Sequence, residues 1–352
     1  MRNQCRIRFS LIHDLPSALA GIVIMKRIHF LFAGCLAAAL GLTEAGAQTY
    51  PDRPIKLVVP FTPGSPVDVL GRVIAQQLSG RLGQSVIIDN RPGAGTSIGA
   101  KAVATAEPDG HTLLLTGTNL VYLPELYRNL EFDPIKSFAA VAMLTTWSHA
   151  LVVSLSVPAN TVAEFIAHAR ANPGKLNFGF GLGTTPQILG EYFKAITGAD
   201  INSADINSVP YRGGVQAISD MLGDRIHMNF GTTATLLALI RQGNVRALAY
   251  TGVTRHPDLP DVPTVIEAGL PQLAFDPDVC IGLLAPAGTP AGVVDKLNLA
   301  ANESLKAPET LASFAKLGIA PKSSSPREFA AFLAAEARKW PPILKASGVK
   351  PE

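Results

Sequence analysis

Two hydrophobic periods take turns along this chain, and that exchange limits its possible folds more than any other feature. Apolar runs such as "IKLVVPF" at 55–61, "SVIIDN" at 85–90 and "HTLLLTG" at 111–117 read as buried strands. Between them, 67–82 and 96–106 carry apolar residues at helical spacing. Past a break the alternation resumes, with "HALVVSL", "LNFGF", "INSVPY", "IHMNFG" and "VRALAYTG" as strands. Helices are expected over 161–174, 185–198, 213–225 and 236–243, the second ended by Gly198. A Pro-rich loop follows, then the extended "DVCIGLLAPAGTP", then helices at 291–305 and 326–344. Such alternation predicts an α/β architecture, a parallel sheet with helices on both faces.

The chain has 352 residues, 47% of them hydrophobic, which is enough for two α/β lobes. Uninterrupted strands would cross between the lobes near 151–154 and 247–251. The first lobe would then hold 48–152 plus 249–352, and the second 153–248. A ligand is expected in the crevice between them, at strand C-termini. The formal charge is only +3 and the basic residues are scattered, so nucleic acid is not an expected partner.

Residues 1–47 stand apart. Lys26-Arg27, an apolar run over 28–42 and Ala45-Gly46-Ala47 have the layout of a cleavable signal peptide, with Met25 the expected start and the cut after Ala47. The apolar run is shorter than the roughly 20 residues that span a bilayer. "FAGC" around Cys35 only loosely matches a lipid-attachment box, so plain export to the periplasm is the expectation. Of the three cysteines only Cys280 follows the cut, so no internal disulfide is expected; its apolar setting reads as packing.

The joints between strand and helix carry the chemistry. In "LVVPFTPGSPVDVLGRVIAQQL", Ser65 is a good N-cap, Pro66 suits the first helical position, and Asp68 has capping-box spacing. Capping alone would account for that pattern. The other lobe repeats it, however: "FGFGLGTTPQILGEYF" runs from strand through Gly181 and Gly183 to Thr184-Thr185-Pro186 and a helix. "VPYRGGVQA" adds a third such turn at Gly213-Gly214. Free N–H groups at helix starts attract anions. Two such starts on opposing lobes would clamp a carboxylate.

Several longer stretches, "YPDRPIKLVVPFTPGSPVDVLGRVIA", "QSVIIDNRPGAGTSIGAKAVA", "PDGHTLLL", "VPYRGG", "GNVRALAYTGVTRHPDLPDVPTVIEAGLP" and "LLAPAGTP", occur in the order seen in one family. The chain resembles the tripartite tricarboxylate transporter substrate-binding proteins, the periplasmic Bug or TctC-like family, over essentially all of its length after the leader. The resemblance implies a two-lobed periplasmic-binding-protein fold of type II-like, Venus-flytrap form, with lobes joined by a hinge. It also implies a monomer that closes on a small organic acid held by backbone N–H groups and ordered water, serves membrane permease subunits, and needs no cofactor or metal. Carried over by position, the site comprises Phe61, Thr62, Gly64, Ser65 and Asp68 in the first loop and Thr118 and Asn119 after the third strand. In the second lobe it comprises Gly181, Gly183, Thr184, Thr185 and Gln187.

The departures bear on ligand identity. The family's paired glycines in the first loop read Gly64-Ser65, a usual His is Gln187, and the second loop is one residue shorter before Gly181. An Asp often found after "MF" is Gly231 in "MNFGTT", and a tryptophan-like position falls at Cys280 or a neighbour. Loss of the carboxylate at 231 removes a partner for an ammonium group, so a plain mono- or dicarboxylate is favoured; Asp68 or Asp278 would be the alternative source of charge.

Enzyme motifs do not appear. "GAGTSIG" at 93–99 has its last gap one residue too long for a dinucleotide fingerprint, and neither G-x-x-x-x-G-K-[ST] nor G-x-S-x-G occurs. The seven His are widely separated, so His149, His168 and His227 read as structural rather than metal-binding. An exported hydrolase is therefore the weaker rival. A ligand sensor signalling to a membrane kinase would use the same binding physics as a transport receptor, and the sequence leaves that alternative open.

Overall fold

The computed structural model describes residues 50–197, 206–275, 279–349 and 351. The expected leader, Cys35, the cleavage point, Gly198 and Asp278 lie outside the described residues. The remainder, Tyr50–Glu352, is one compact unit built on two sheets.

The first sheet has the order β11-β4-β10-β3-β1-β2. Its strands are β1 (Ile55–Val59), β2 (Val86–Asn90), β3 (Thr112–Gly117), β4 (Phe138–Trp147), β10 (Val279–Pro286) and the short β11 (Ala320–Pro321). The second sheet, β7-β6-β8-β5-β9, uses β5 (His149–Val153), β6 (Leu176–Gly181), β7 (Ile206–Tyr211), β8 (Met228–Thr232) and β9 (Arg246–Tyr250). The helices are α1 (Pro66–Leu82), α2 (Ser97–Ala104), α3 (Asn119–Leu126), α4 (Val162–Ala171), α5 (Thr185–Thr197), α6 (Gly214–Leu222) and α7 (Thr233–Arg241). Three more, α8 (Ala291–Ser304), α9 (Pro308–Lys316) and α10 (Pro326–Ala346), belong to the C-terminal part.

The sheets are mixed rather than parallel, which corrects the expectation from the alternation. Strands linked by a helix obey it: β1 pairs in parallel with β2 and β3, and β6 with β7 and β8. Strands that arrive from the other sheet do not. β10 runs antiparallel to β3 and β4, and β5 runs antiparallel to β8 and β9. The helical crossover is what forces parallel pairing, and these strands lack one.

Only Ser148 separates β4 from β5, so the chain changes sheets there without a loop. Residues 149–152 and 249–250, expected in the first lobe, pair within the second sheet. Nothing local in "LTTWSHALVV" marks the change. The two crossings are tied together: the His149 N–H donates to Thr251 Oγ1 at 2.8 Å, and the Thr251 N–H donates to His149 O at 2.9 Å. β4 and α9 carry no expectation from the sequence. The Ala- and Thr-rich "FAAVAMLTTW" has a weak strand signal, yet β4 lies between β10 and β11.

Each sheet has its own core. Leu57, Leu70, Ile74, Leu115, Ile281 and Leu297 are fully buried around the first. Leu151, Phe165, Phe178, Phe193 and Phe230 are fully buried around the second, joined by Tyr122 of α3 and by Trp340 and Leu344 of α10. The Trp340 ring meets Tyr122 edge-on at 4.8 Å and Phe275 at 5.0 Å. The C-terminal helix thus packs into the core of the second sheet as well as covering the first.

Candidate functional site

Five helices begin at one cavity of about 110 Å³ between the two sheets. Its lining includes Ser65 and Pro66 at the start of α1, Asn119 at the start of α3, Thr185 of α5, Gly214 of α6 and Thr232, which caps α7. Phe61, Trp147, Val215, Ile218, Val279 and Ile281 supply most of the apolar wall. Among the described residues, no Lys, Arg, His, Asp or Glu lines it. The field inside comes from helix dipoles and unpaired backbone donors, all positive toward the cavity.

The first loop is built to hold its shape. Ser65 caps α1 in extended conformation (φ −68°, ψ 158°), its hydroxyl accepting from the Asp68 N–H at 3.3 Å. Gly64 is left-handed (φ +80°), which a glycine adopts without Cβ strain. Its N–H donates to Asp68 Oδ2 at 2.9 Å, where Arg72 Nε also donates at 3.0 Å; Asn90 Nδ2 donates to Asp68 Oδ1 at 2.9 Å. Burial works against the Asp68 charge, but the bonds from Arg72, the Gly64 N–H and Asn90 together hold its carboxyl below the ordinary aspartate value. The Ser65 N–H closes a turn onto Thr62 O at 3.1 Å. The N–H groups of Gly64 and Ser65 are thus already used, while those of Phe61 and of Val67, the second residue of α1, both on the lining, have no partner among the described residues.

The second loop is held in the same way. Gly183 is left-handed (φ +71°), and its N–H donates to Gln187 Oε1 at 2.8 Å. Thr184 Oγ1 donates to Gly181 O at 2.6 Å. The N–H groups of Thr184 and Thr185 have no partner among the described residues. Thr185 Oγ1 lies 3.2 Å from the Tyr122 hydroxyl of α3, a contact that spans the two sheets.

Of the residues expected at the site, Phe61, Ser65, Asn119, Gly181, Thr184 and Thr185 line the cavity. Asp68 and Gln187 brace its loops from behind, and Gly64 and Gly183 form their turns. Thr62 stands at the rim, where a Cβ on Gly213 would come within 3.0 Å of its Oγ1. Thr118 turns away to Cys280: its hydroxyl accepts from the Cys280 N–H at 2.9 Å and donates to Sγ at 3.4 Å. Cys280 is fully buried, and burial pushes its thiol up to about 12, which keeps it neutral. Trp147, Val67, Ile218, Asn229, Thr232 and Thr235 line the cavity without having been singled out from sequence. The turn at Gly213-Gly214 and the departure at Gly231, which also lines the cavity, were the signs of that wall in the sequence.

No helix among the described residues is long and apolar enough to cross a membrane. Nor do the described residues contain a group of three or more His, Cys, Asp or Glu placed to hold a metal.

Comparison with known proteins agrees with this architecture. The family model described as "Tripartite tricarboxylate transporter family receptor" matches residues 70–349. A Pseudomonas sp. (strain P51) relative, the UPF0065 protein in the tcbD-tcbE intergenic region, is 36% identical over 314 residues, 88% of this chain and 91% of that one. The structure of the periplasmic binding protein BugD superposes with a TM-score of 0.79 at 30% identity, covering 86% of this chain and all of BugD. The R. palustris protein Rpa4515, solved with adipate, gives a TM-score of 0.78 at 32% identity, again over 86% of this chain and all of that one. With its two-lobed periplasmic-binding-protein fold, the chain belongs to the tripartite tricarboxylate transporter family receptors.

Proposed function

We propose that this protein is an extracytoplasmic solute receptor that captures a small organic carboxylate between its sheets and presents it to the membrane subunits of a tripartite transporter, doing no chemistry on it. The observation that carries this reading is the convergence of five helix N-termini, two from the first sheet's side and three from the second's, on a cavity to whose lining the described residues contribute no charged side chain. Such a cavity favours a small anion over a cation or a neutral solute. The adipate bound by Rpa4515 supports a carboxylate as that anion. The proposed lobes are those of the two sheets, with the hinge where His149 and Thr251 tie the two crossings. Residues 25–47 act as the export signal.

The test is thermal unfolding of the protein recovered after export, with small carboxylates, adipate among them, set against their matching amides. A ligand at about 100 times its dissociation constant adds roughly 2.7 kcal/mol of stability. Stabilisation by an acid and not by its amide supports the reading, and no shift with any acid overturns it. The intact mass of the recovered protein reports whether cleavage follows Ala47.

A further inference from the structure

Asn229 stands on β8, a residue only 2% exposed, on the wall of the cavity. Its Nδ2 donates to Gly179 O at 2.6 Å, which fixes the direction of the amide. Its Oδ1 is buried and has no hydrogen-bond partner. A buried acceptor left unpaired is costly, and native proteins seldom keep one without a use. Gly231, two residues on and therefore on the same face of β8, explains how the amide reaches its place: a Cβ at 231 would lie 3.0 Å from Asn229 Oδ1 and 2.5 Å from Leu236 Cδ1. The absent side chain at 231 leaves that space to Asn229. Trp147 Nε1, a donor on another residue of the same cavity, is likewise buried without a partner.

An acceptor and a donor are therefore waiting beyond the helix starts. An ionised carboxylate has no proton to give Asn229. An ammonium group would give one, but no acidic side chain among the described residues lines the cavity to balance its charge. A hydroxyl is the smallest neutral group that both donates and accepts.

Resting on the carboxylate reading above, we propose that Asn229 is a specificity-determining residue whose Oδ1 accepts a hydrogen bond from a hydroxyl on the ligand, so that the preferred solute is a small hydroxycarboxylate rather than a plain mono- or dicarboxylate.

Titration calorimetry with matched probe pairs tests this: lactate and propionate, malate and succinate, 6-hydroxyhexanoate and hexanoate, 4-hydroxybenzoate and benzoate. A site built around a ligand hydroxyl rejects the analogue that lacks it. In the unaltered protein the hydroxylated member of at least one pair should bind at least about tenfold more tightly than its partner. In Asn229→Leu that preference should collapse to within about twofold, with the deoxy acid still bound. Equal affinities within every pair overturn the inference and leave the carboxylate reading standing, with solvent serving Oδ1. A preference that survives unchanged in Asn229→Leu assigns the hydroxyl to another residue and also overturns it. If no acid of either kind binds, the carboxylate reading falls and this inference with it. Should Asn229→Leu fail to fold, the paired comparison on the unaltered protein still decides.

Discussion

Gly95 and Gly183 bring a loop of the first sheet against a loop of the second: a Cβ built on Gly183 would lie 2.3 Å from Gly95 Cα. One glycine lies in the turn before α2 on the first sheet, the other in the loop before α5 on the second. Both have positive φ, 58° and 71°. The two loops approach this closely only because neither carries a side chain.

Gly183→Ala should therefore hold the lobes apart. Affinity for whichever carboxylate stabilises the protein should fall at least about tenfold, since closure is part of binding. Gly243→Ala is the control, because Gly243 has the same left-handed backbone (φ +70°) but nothing within 4 Å of an added Cβ. Both variants should lose about 1–2 kcal/mol of stability from backbone strain. Calorimetric titration separates them, and equal affinity in both would show that the glycine contact does not control closure.

Asp68→Asn should loosen the first loop, since the carboxylate gathers bonds from Gly64, Arg72 and Asn90. A loss of about 1–3 kcal/mol at neutral pH is expected from breaking charged hydrogen bonds at a buried group. The pH dependence has a definite sign. The folded protein holds the Asp68 carboxyl below its ordinary value, so its contribution is complete above about pH 4 and disappears as pH falls through the lowered value. Urea unfolding of both proteins over a range of acid pH should show their stabilities converging below that point.

Trp340→Ala should cost about 3–5 kcal/mol, the usual range for an aromatic removed from a core. The indole is fully buried, meets Tyr122 edge-on and Phe275 at a tilt, and donates from Nε1 to Glu336 Oε2 at 2.6 Å. The truncation also leaves that buried carboxylate one donor short. A loss below about 1 kcal/mol in chemical denaturation would mean that α10 is not integral to the second core.

Ser65→Ala should lower stability by about 1 kcal/mol through loss of the α1 cap and weaken carboxylate binding only modestly. The Ser65 hydroxyl already serves as the acceptor of the α1 cap, whereas the Val67 N–H has no partner among the described residues. A loss of affinity beyond about tenfold would instead place the hydroxyl in direct contact with the ligand.

The helix starts could be read from sequence because their causes are local. Ser65-Pro66, Thr185-Pro186 and Gly213-Gly214 each announce a turn into a helix within a few residues, and all three open at the cavity. The strand directions could not, because β5 and β10 take theirs from the lobe they leave rather than from residues within them. The same holds for the far wall. Asn229 sits in an ordinary strand pattern, and its importance arises from Gly179, Gly231 and Leu236, which pairing and packing bring to it. Gly64, Asp68, Gly183 and Gln187 were legible as important, but their bonds point into the loops they support. Sequence marked two loops that border the cavity and did not tell the faces of those loops apart.

That the described lining carries no charged side chain has a consequence for letting go. Helix dipoles do not titrate, and no described residue of the lining is acidic or basic, so under the proposed function none of them could expel the anion by taking up a proton. The attraction is assembled from two halves: α1 and α3 belong to one sheet, and α5, α6 and α7 to the other. Pulling the halves apart by the width of a water layer disperses the field and admits solvent to each exposed donor at the same moment. Under the proposed function, discharge of a bound carboxylate would thus be a mechanical event, brought about by prying the two sheets open.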